Sequence, residues 1–123
     1  MKTIALVDDD RSNTILIRKL LEMDGFEVVV SPDAKRAQTA AFEGIDAFVI
    51  DCNLAQGEDG IDLLLAIRNG KTDANSNVPV IMTSGDDRRL PDAERAGATL
   101  FLIKPYSPRI LSAQLSELLE VTE

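Results

Sequence analysis

The sequence predicts an α/β fold in which a doubly wound five-stranded parallel sheet has the order 2-1-3-4-5 and helices on both faces. Short apolar runs alternate with amphipathic runs along the 123 residues, and each strand-like run is followed by a helix-like run. Connections of that length favour parallel pairing, because antiparallel neighbours need only a tight turn. Right-handed crossovers then distribute the helices over both faces. The length suits one domain with its own core.

The predicted strands are short runs rich in apolar and β-branched residues, as expected for strands that are buried on both faces. Turn signals of glycine, proline, serine and aspartate separate them from the helical runs. The five strands are expected at Thr3–Val7, Phe26–Val30, Ala47–Ile50, Val78–Met82 and Leu100–Ile103.

The predicted helices carry apolar residues at helical spacing and end at glycine or at a polar turn. Asp10 is expected to cap the first helix, and Ser107 and Pro108 are expected to be the cap and first residue of the last one. Five helices are expected, over residues 14–23, 34–43 and 61–69, in a short stretch between a polar loop at 85–91 and Gly97, and from Ser107 onward.

Composition excludes several classes of function. The 21 acidic and 13 basic residues give a formal charge of −8, which argues against a nucleic-acid-binding surface. The chain has no histidine, which excludes imidazole bases, histidine-ligated metals and a phosphohistidine donor. The single Cys52 excludes an internal disulfide and fits a reducing cytosol. No apolar run approaches the ~20 residues of a membrane span. We therefore expect a cytoplasmic protein with no membrane partner.

Polar side chains end four of the predicted strands. Asp8 and Asp9 follow the first strand, Asp51 the third, Ser84 the fourth and Lys104 the fifth. In an open parallel sheet, ligands bind outside the carboxyl ends of the strands. In the order 2-1-3-4-5 these four strands are contiguous. We therefore expect their polar ends to converge on one rim of the sheet.

The residue types at this rim predict a site for phosphoryl transfer. Three carboxylates repel one another unless a counter-charge is present, and Mg²⁺ prefers a few carboxylates together with waters and phosphate oxygens. Lys104 completes the charge balance. Such a pocket stabilises a transferring phosphoryl group, and a carboxylate can itself be the nucleophile. We therefore predict a Mg²⁺-dependent site that phosphorylates an aspartate, with Ser84 donating a hydrogen bond to a phosphoryl oxygen.

The ordered set of residues resembles the receiver domain of two-component response regulators, which has a flavodoxin-like fold similar to that of the chemotaxis regulator. The resemblance covers essentially the whole chain, so residues 1–123 are expected to form one receiver domain, with no output domain in this chain. The matching motifs are Asp8-Asp9, Asp51 with Asn53 two residues on, Asp59-Gly60, Ser84-Gly85 after PVIM, and Phe101-x-x-Lys104-Pro105.

The resemblance implies a phosphoacceptor and a metal site. Asp51 would accept the phosphoryl group. Asp8 and Asp9 would hold Mg²⁺ directly or through water, together with Asp51 and the backbone carbonyl of Asn53.

The resemblance also implies a switch. Lys104 would pair with the phosphoryl group, and its peptide bond to Pro105 would be cis. The Ser84 hydroxyl would move toward the phosphoryl group, and the ring of Phe101 would occupy the vacated space. In the family this change remodels the face made by the fourth helix, the fifth strand and the last helix.

The implied partners are a histidine kinase or a histidine phosphotransfer protein as donor, and an unidentified protein as downstream target. Nucleic acid is not expected as a partner of this chain by itself. The domain would catalyse its own phosphorylation and dephosphorylation but would otherwise not be an enzyme. It would be a monomer or a weak homodimer.

Some details depart from the family pattern. The loop after Asp51, CNLAQGEDG, is a residue longer than the commonest form and carries Ala55 where proline is frequent. The stretch from Ser84 to Lys104 is about two residues short, and Pro91 restricts where the fourth helix starts. These changes leave the phosphorylation chemistry intact, but they weaken any transfer of an output surface from the family.

Two other functions remain open. A small haloacid-dehalogenase-type phosphatase would use Asp8 and Asp10, because Asp8-x-Asp10-x-Ser12 approximates the nucleophile motif of that family. However, no aspartate follows Lys104, and the usual cap insertion is missing. The other alternative is a receiver-like scaffold that is never phosphorylated, against which the complete acceptor, metal and lysine set argues.

Overall fold

The computed structural model describes residues 1–32, 44–54 and 57–120. Within these ranges the strands are β1 (Thr3–Val7), β2 (Glu27–Ser31), β3 (Ala47–Asp51), β4 (Val80–Ser84) and β5 (Leu100–Ile103). The α-helices are α1 (Arg11–Met23), α2 (Gly60–Arg68), α3 (Leu90–Ala96) and α4 (Pro108–Leu118), and a short 3-10 helix at Asp87–Arg89 precedes α3. The helix predicted over residues 34–43 lies outside the described residues, as do residues 55 and 56 of the loop after Asp51.

The strands form one parallel sheet in the order β2-β1-β3-β4-β5, which confirms the predicted fold. Every neighbouring pair is parallel, so all the strands end at the same edge. The register places Val7 beside Ile50, and Asp51 beside Thr83. Residues that follow β1, β3 and β5 therefore emerge together at one rim.

The two faces of the sheet carry separate hydrophobic cores. Alternate residues of a strand point to opposite faces, so Leu6 packs with α1 and α4 on one face while Val7 packs with α2 and α3 on the other. Residues on both faces of β1, β3 and β4 are buried. This explains why these strands are continuous apolar runs rather than alternating ones.

The first helix begins earlier than residue 14, where the apolar spacing placed its start. α1 starts at Arg11 because Asp10 caps it as expected, its carboxylate accepting a hydrogen bond from the Asn13 amide at 3.2 Å. The first turn is polar, so the apolar pattern of the sequence did not reveal it. Asn13 consequently lies in the first turn, directly after the aspartates of the rim.

The fourth strand is displaced from its predicted position by two residues. It runs from Val80 to Ser84 rather than over 78–82, because Val78 belongs to a turn in which its amide donates to Asn75 at 3.0 Å. Thr83 and Ser84 are therefore the last residues of β4 and not the start of a loop. The other strands differ from prediction by a residue or less at each end.

The remaining helix boundaries follow the predicted signals. The Ser107 hydroxyl accepts from the Arg109 amide, and Pro108 opens α4 as expected. α3 starts at Leu90 with Pro91 in its first turn, and it ends at Gly97, whose φ of 100° is a left-handed conformation that favours glycine. Across the described ranges, none of the helices combines the length and apolarity needed to cross a bilayer.

Candidate functional site

Three carboxylates meet at the rim of the sheet. Asp8 and Asp9 follow β1, and Asp51 is the last residue of β3. Each offers one oxygen, and these oxygens lie within 4.8 Å of one another. Asp8 and Asp51 are 3% and 7% exposed, whereas Asp9 is open to solvent. The cluster therefore consists of two buried carboxylates and one that is exposed to solvent.

Lys104, directly after β5, bridges two of these carboxylates. Its Nζ lies 2.7 Å from Asp51 Oδ2 and 3.1 Å from Asp8 Oδ2. Its backbone amide donates to the Ser84 carbonyl at 2.8 Å, so pairing between β4 and β5 continues up to the lysine. The Lys104–Pro105 peptide bond, which was expected to be cis, is cis in the structure.

The electrostatics of the site are a balance between burial and pairing. Burial raises the pKa of Asp51, while the Lys104 ammonium and the Asn53 amide oppose that rise. Burial disfavours the ammonium of Lys104, but the hydrogen bonds and charges of Asp51 and Asp8 outweigh it and raise the lysine pKa. One ammonium cannot neutralise three carboxylates, so the site keeps an excess of negative charge that suits a divalent cation.

The loop after β3 folds back over Asp51. The Asn53 amide donates to Asp51 Oδ1 at 3.1 Å, and Asn53 forms a β-bridge with Asp59. The Gly60 amide then donates to the Cys52 carbonyl at 2.8 Å. A Cβ at Gly60 would lie 2.0 Å from the Asp51 carbonyl oxygen, so only glycine permits α2 to start there.

The two residues of the expected switch lie on neighbouring strands. Ser84 is fully buried at the end of β4, and its Oγ accepts a hydrogen bond from the Asp86 amide at 3.0 Å. Phe101 on β5 is in register with Met82 on β4 and packs, partly buried, on the sheet face covered by α2 and α3.

Two contacts at the rim were not predicted from the sequence. The Asn13 side-chain amide donates to Asp8 Oδ2 at 3.2 Å. Arg89 Nη2 contacts both carboxylate oxygens of Asp59, at 2.8 and 2.7 Å. Recognition of the polar first turn of α1 would have placed Asn13 beside Asp8, whereas no local signal indicates the pair between Arg89 and Asp59.

Two other polar residues near the rim do not join the cluster. The carboxylate of Asp10 caps α1 and is exposed. Cys52 is fully buried, and burial raises the pKa of its thiol to about 11, so the thiol stays protonated at neutral pH.

A parallel sheet of this order, with acidic residues after β1 and at the end of β3 and a lysine after β5, defines a class of signalling protein. Residues 4–116 match the response regulator receiver domain family, and the chain belongs to that family. It is a signalling domain rather than a classical enzyme, and the phosphatase and scaffold alternatives are not favoured.

Individual relatives agree with this assignment. The chain is 36% identical over 121 residues to the transcriptional regulatory protein CpxR of Escherichia coli K12, covering 97% of this chain and 50% of CpxR. It is 30% identical over 125 residues to the alkaline phosphatase synthesis transcriptional regulatory protein PhoP of Bacillus subtilis, covering 99% and 50% of the two chains. The chain thus spans about half the length of these curated relatives.

The fold agrees equally well with a solved receiver domain. The receiver domain of the Francisella response regulator 1452 superimposes with a TM-score of 0.86 at 27% sequence identity, and the match covers 98% of both chains. Family and fold are therefore as the residue pattern predicted.

Proposed function

We propose that the domain accepts a phosphoryl group on Asp51 in a Mg²⁺-dependent reaction and thereby regulates a partner protein. The observation that carries this proposal is the position of Lys104, whose ammonium contacts both Asp51 and Asp8 beside the third carboxylate, Asp9. Lysine at this place favours the anionic form of the acceptor and offers a positive charge to an incoming phosphoryl oxygen.

The donor set fits Mg²⁺. This ion takes oxygen ligands, keeps several waters and is bound through a few carboxylates. The cluster offers two buried carboxylates and a third, Asp9, that is exposed to solvent. Asp8, Asp9, Asp51 and the backbone carbonyl of Asn53 would hold the ion. When bound, the ion supplies the charge that neutralises phosphoryl oxygens during transfer.

The acceptor chemistry follows from the ionised carboxylate. An Asp51 oxygen attacks phosphorus, the bond between phosphorus and the donor nitrogen breaks, and the electron pair of that bond leaves with the donor imidazole. These 123 residues contain no histidine, so a phosphohistidine donor must lie outside them. We assign that role to a histidine kinase or a histidine phosphotransfer protein, which places the domain in the cytoplasm.

The output is assigned to the face formed by α3, β5 and α4. Phosphorylation would draw the Ser84 hydroxyl away from the Asp86 amide and toward the phosphoryl group, and Phe101 would move into the space released. Ile103 on β5 and Ile110 on α4 are 43% and 51% exposed, which gives this face apolar contact points for a protein target. Residues 1–123 would act as one receiver unit, either a monomer or a weak homodimer.

Phosphorylation by a small donor tests the proposal. The purified protein is incubated with Mg²⁺ and acetyl phosphate, and its intact mass is measured after acid quenching and after base treatment. We expect one acid-stable, base-labile phosphoryl group that is absent with chelator and in Asp51→Asn. Label that survives in Asp51→Asn, or wild-type protein that stays unlabelled with Mg²⁺ present, would overturn the assignment of Asp51.

A further inference from the structure

Asp8 is held by three hydrogen bonds of unequal length. Its Oδ1 accepts from the Asp10 amide at 2.9 Å, and its Oδ2 accepts from Lys104 Nζ at 3.1 Å and from the Asn13 side-chain amide at 3.2 Å. The Asn13 contact is the longest, and its donor is uncharged and at the end of a rotatable side chain. It is therefore the contact that Asp8 gives up most easily.

The hydroxyl of Tyr106 lacks a partner. It is buried and makes no hydrogen bond within the described part of the chain. Burial raises the pKa of this phenol to about 12. A buried hydroxyl without a partner is costly and needs an explanation. The Asn13 side chain lies within pairing reach of this hydroxyl and acts against the rise in the phenol pKa.

Asn13 and Tyr106 share a cavity beside the acceptor. The cavity has a volume of about 380 Å³, and its other lining residues are Asp10, Lys104 and Pro105. This space lets the Asn13 amide turn about its terminal torsion, which is broad in asparagine. Asn13 can therefore reach either Asp8 or Tyr106 without movement of the backbone of α1.

We propose that Asn13 is a positioning residue of the metal site with two alternative partners. Its amide donates to Asp8 in the present structure, and it turns to the Tyr106 hydroxyl when a divalent cation binds Asp8, Asp9 and Asp51. The inference rests on the metal site of the proposed function. A cation competes with Asn13 for the oxygens of Asp8. The Tyr106 hydroxyl then offers Asn13 a hydrogen bond in place of the one to Asp8. Metal binding is thereby transmitted to the segment that precedes α4.

The composition of the chain makes this exchange measurable. Tyr106 is the single tyrosine and there is no tryptophan, so tyrosine fluorescence reports this site alone. Four proteins are titrated with MgCl₂: wild type, Asn13→Ala, Tyr106→Phe and the double variant. Calorimetry measures the Mg²⁺ affinity of each, and fluorescence is followed in the two proteins that keep Tyr106. Phosphorylation by acetyl phosphate is measured separately by intact mass.

The exchange predicts a specific pattern across these proteins. Wild type shows a saturable fluorescence change with the midpoint found by calorimetry. Asn13→Ala should bind Mg²⁺ with an affinity within about threefold of wild type, and it should not show the fluorescence change. Its affinity changes little because the variant loses one hydrogen bond in the metal-free state and one in the metal-bound state. Tyr106→Phe binds about five-fold more weakly, because Asn13 then has no second partner. Adding Asn13→Ala to Tyr106→Phe restores the affinity, a non-additivity that a purely structural role does not produce.

Other outcomes separate the two proposals. If calorimetry detects no binding of MgCl₂ to wild type and wild type is not phosphorylated, the metal site of the proposed function is wrong. The inference is then wrong as well. If Mg²⁺ binds and phosphorylation proceeds, an unchanged fluorescence response in Asn13→Ala or wild-type affinity in Tyr106→Phe overturns the exchange alone.

Discussion

At the scale of single residues, Asp51 is buried in a place where its charge is costly, and yet the proposed phosphorylation requires that charge. Burial raises its pKa, and the ammonium of Lys104 at 2.7 Å and the Asn53 amide at 3.1 Å only partly offset that rise. A charged group that folding disfavours is typical of functional sites. In the absence of a cation, the acceptor therefore reduces the stability of the domain.

This balance predicts that Asp51→Asn stabilises the metal-free domain. Asparagine keeps the size of the side chain and one oxygen acceptor but removes the charge. We expect a higher melting temperature at pH 7 in chelator, measured by circular dichroism. Because a raised folded-state pKa makes ionisation destabilising, the gain should shrink as the pH falls through the folded-state pKa, and it should vanish below 3.8, the ordinary pKa of the group, where Asp51 is protonated in both states. The exposed Asp73→Asn is the control, and an equal gain there would contradict the argument.

Tyr106 predicts a second dependence on pH. Burial raises its pKa from 10.0 to about 12, so the folded state holds the phenol proton more tightly than the unfolded state. Its contribution to stability is complete below pH 10 and is lost as the pH rises through about 12. Absorbance of the phenolate should show titration near pH 12 in folded protein and near 10 in denaturant. Tyr106→Phe should lose stability less steeply over that interval, and titration near 10 in the native protein would contradict the burial argument.

At the scale of secondary-structure elements, the site depends on how closely α2 approaches β3. α2 begins at Gly60 directly against the last residue of β3, with Asp59 capping the helix through the Ile61 amide at 2.9 Å. Arg89 then ties Asp59 to the segment after β4. The pair is partly exposed, so it orients these two segments more than it stabilises the fold.

The close approach predicts that Gly60→Ala is damaging whereas Gly85→Ala is tolerated. A Cβ at Gly60 would lie 2.0 Å from the Asp51 carbonyl oxygen, while a Cβ at Gly85 meets no atom of the described residues within 4 Å. We expect Gly60→Ala to cost about 3 kcal/mol, at the upper end for overpacking, and Gly85→Ala to cost less than about 0.5 kcal/mol. Urea unfolding measures both costs. Equal costs would show that the contact relaxes freely.

A second prediction concerns Arg68, whose side chain links the end of α2 to the turn before β4 and to the end of α3. From the end of α2, its guanidinium donates to the carbonyls of Gly97, Ser76 and Val78 at 2.9, 2.9 and 2.6 Å. Arg68→Met keeps the apolar stem but loses these bonds, and should cost about 1–3 kcal/mol in urea unfolding. Arg18→Met, which loses an exposed ion pair with Glu22, should cost less than about 0.5 kcal/mol. Similar costs would argue against a joining role for Arg68.

At the scale of the whole molecule, charge couples folding to the cation. The chain carries a formal charge of −8, and part of that excess is concentrated at Asp8, Asp9 and Asp51 on the rim. A ligand that binds only the folded state stabilises it by mass action. The metal site should therefore govern the stability of the entire domain and not only its chemistry.

This coupling predicts a large effect of Mg²⁺ on unfolding. At a Mg²⁺ concentration of about one hundred times Kd, the free energy of unfolding should rise by about 2.7 kcal/mol. Asp8→Asn should lose most of that increase, and NaCl at matched ionic strength should not reproduce it in wild type. Thermal unfolding with and without chelator measures the effect. An equal increase in Asp8→Asn would assign it to general screening of the acidic surface.

The elements and the site differ in how far the sequence reveals them. Strand and helix order follow from local apolar spacing and from caps such as Asp10 and Ser107, which act over a few residues. The meeting of Asp8, Asp51 and Lys104 also follows, because parallel strands end at one edge whatever their detailed packing. The start of β4 was misplaced, because a turn stabilised by distant Arg68 decides where pairing begins.

The amino-acid sequence by itself determined the order of the elements along the chain, the receiver family and the identity of the rim residues, since these depend on local apolar spacing and on short motifs at the strand ends. Only the tertiary structure decided that Asn13 contacts Asp8, that Arg89 contacts Asp59 and that the Tyr106 hydroxyl has no hydrogen-bond partner among the described residues. Those contacts join residues from elements far apart in the chain or on opposite sides of a turn. They depend on register and packing to within an ångström, which no local pattern records.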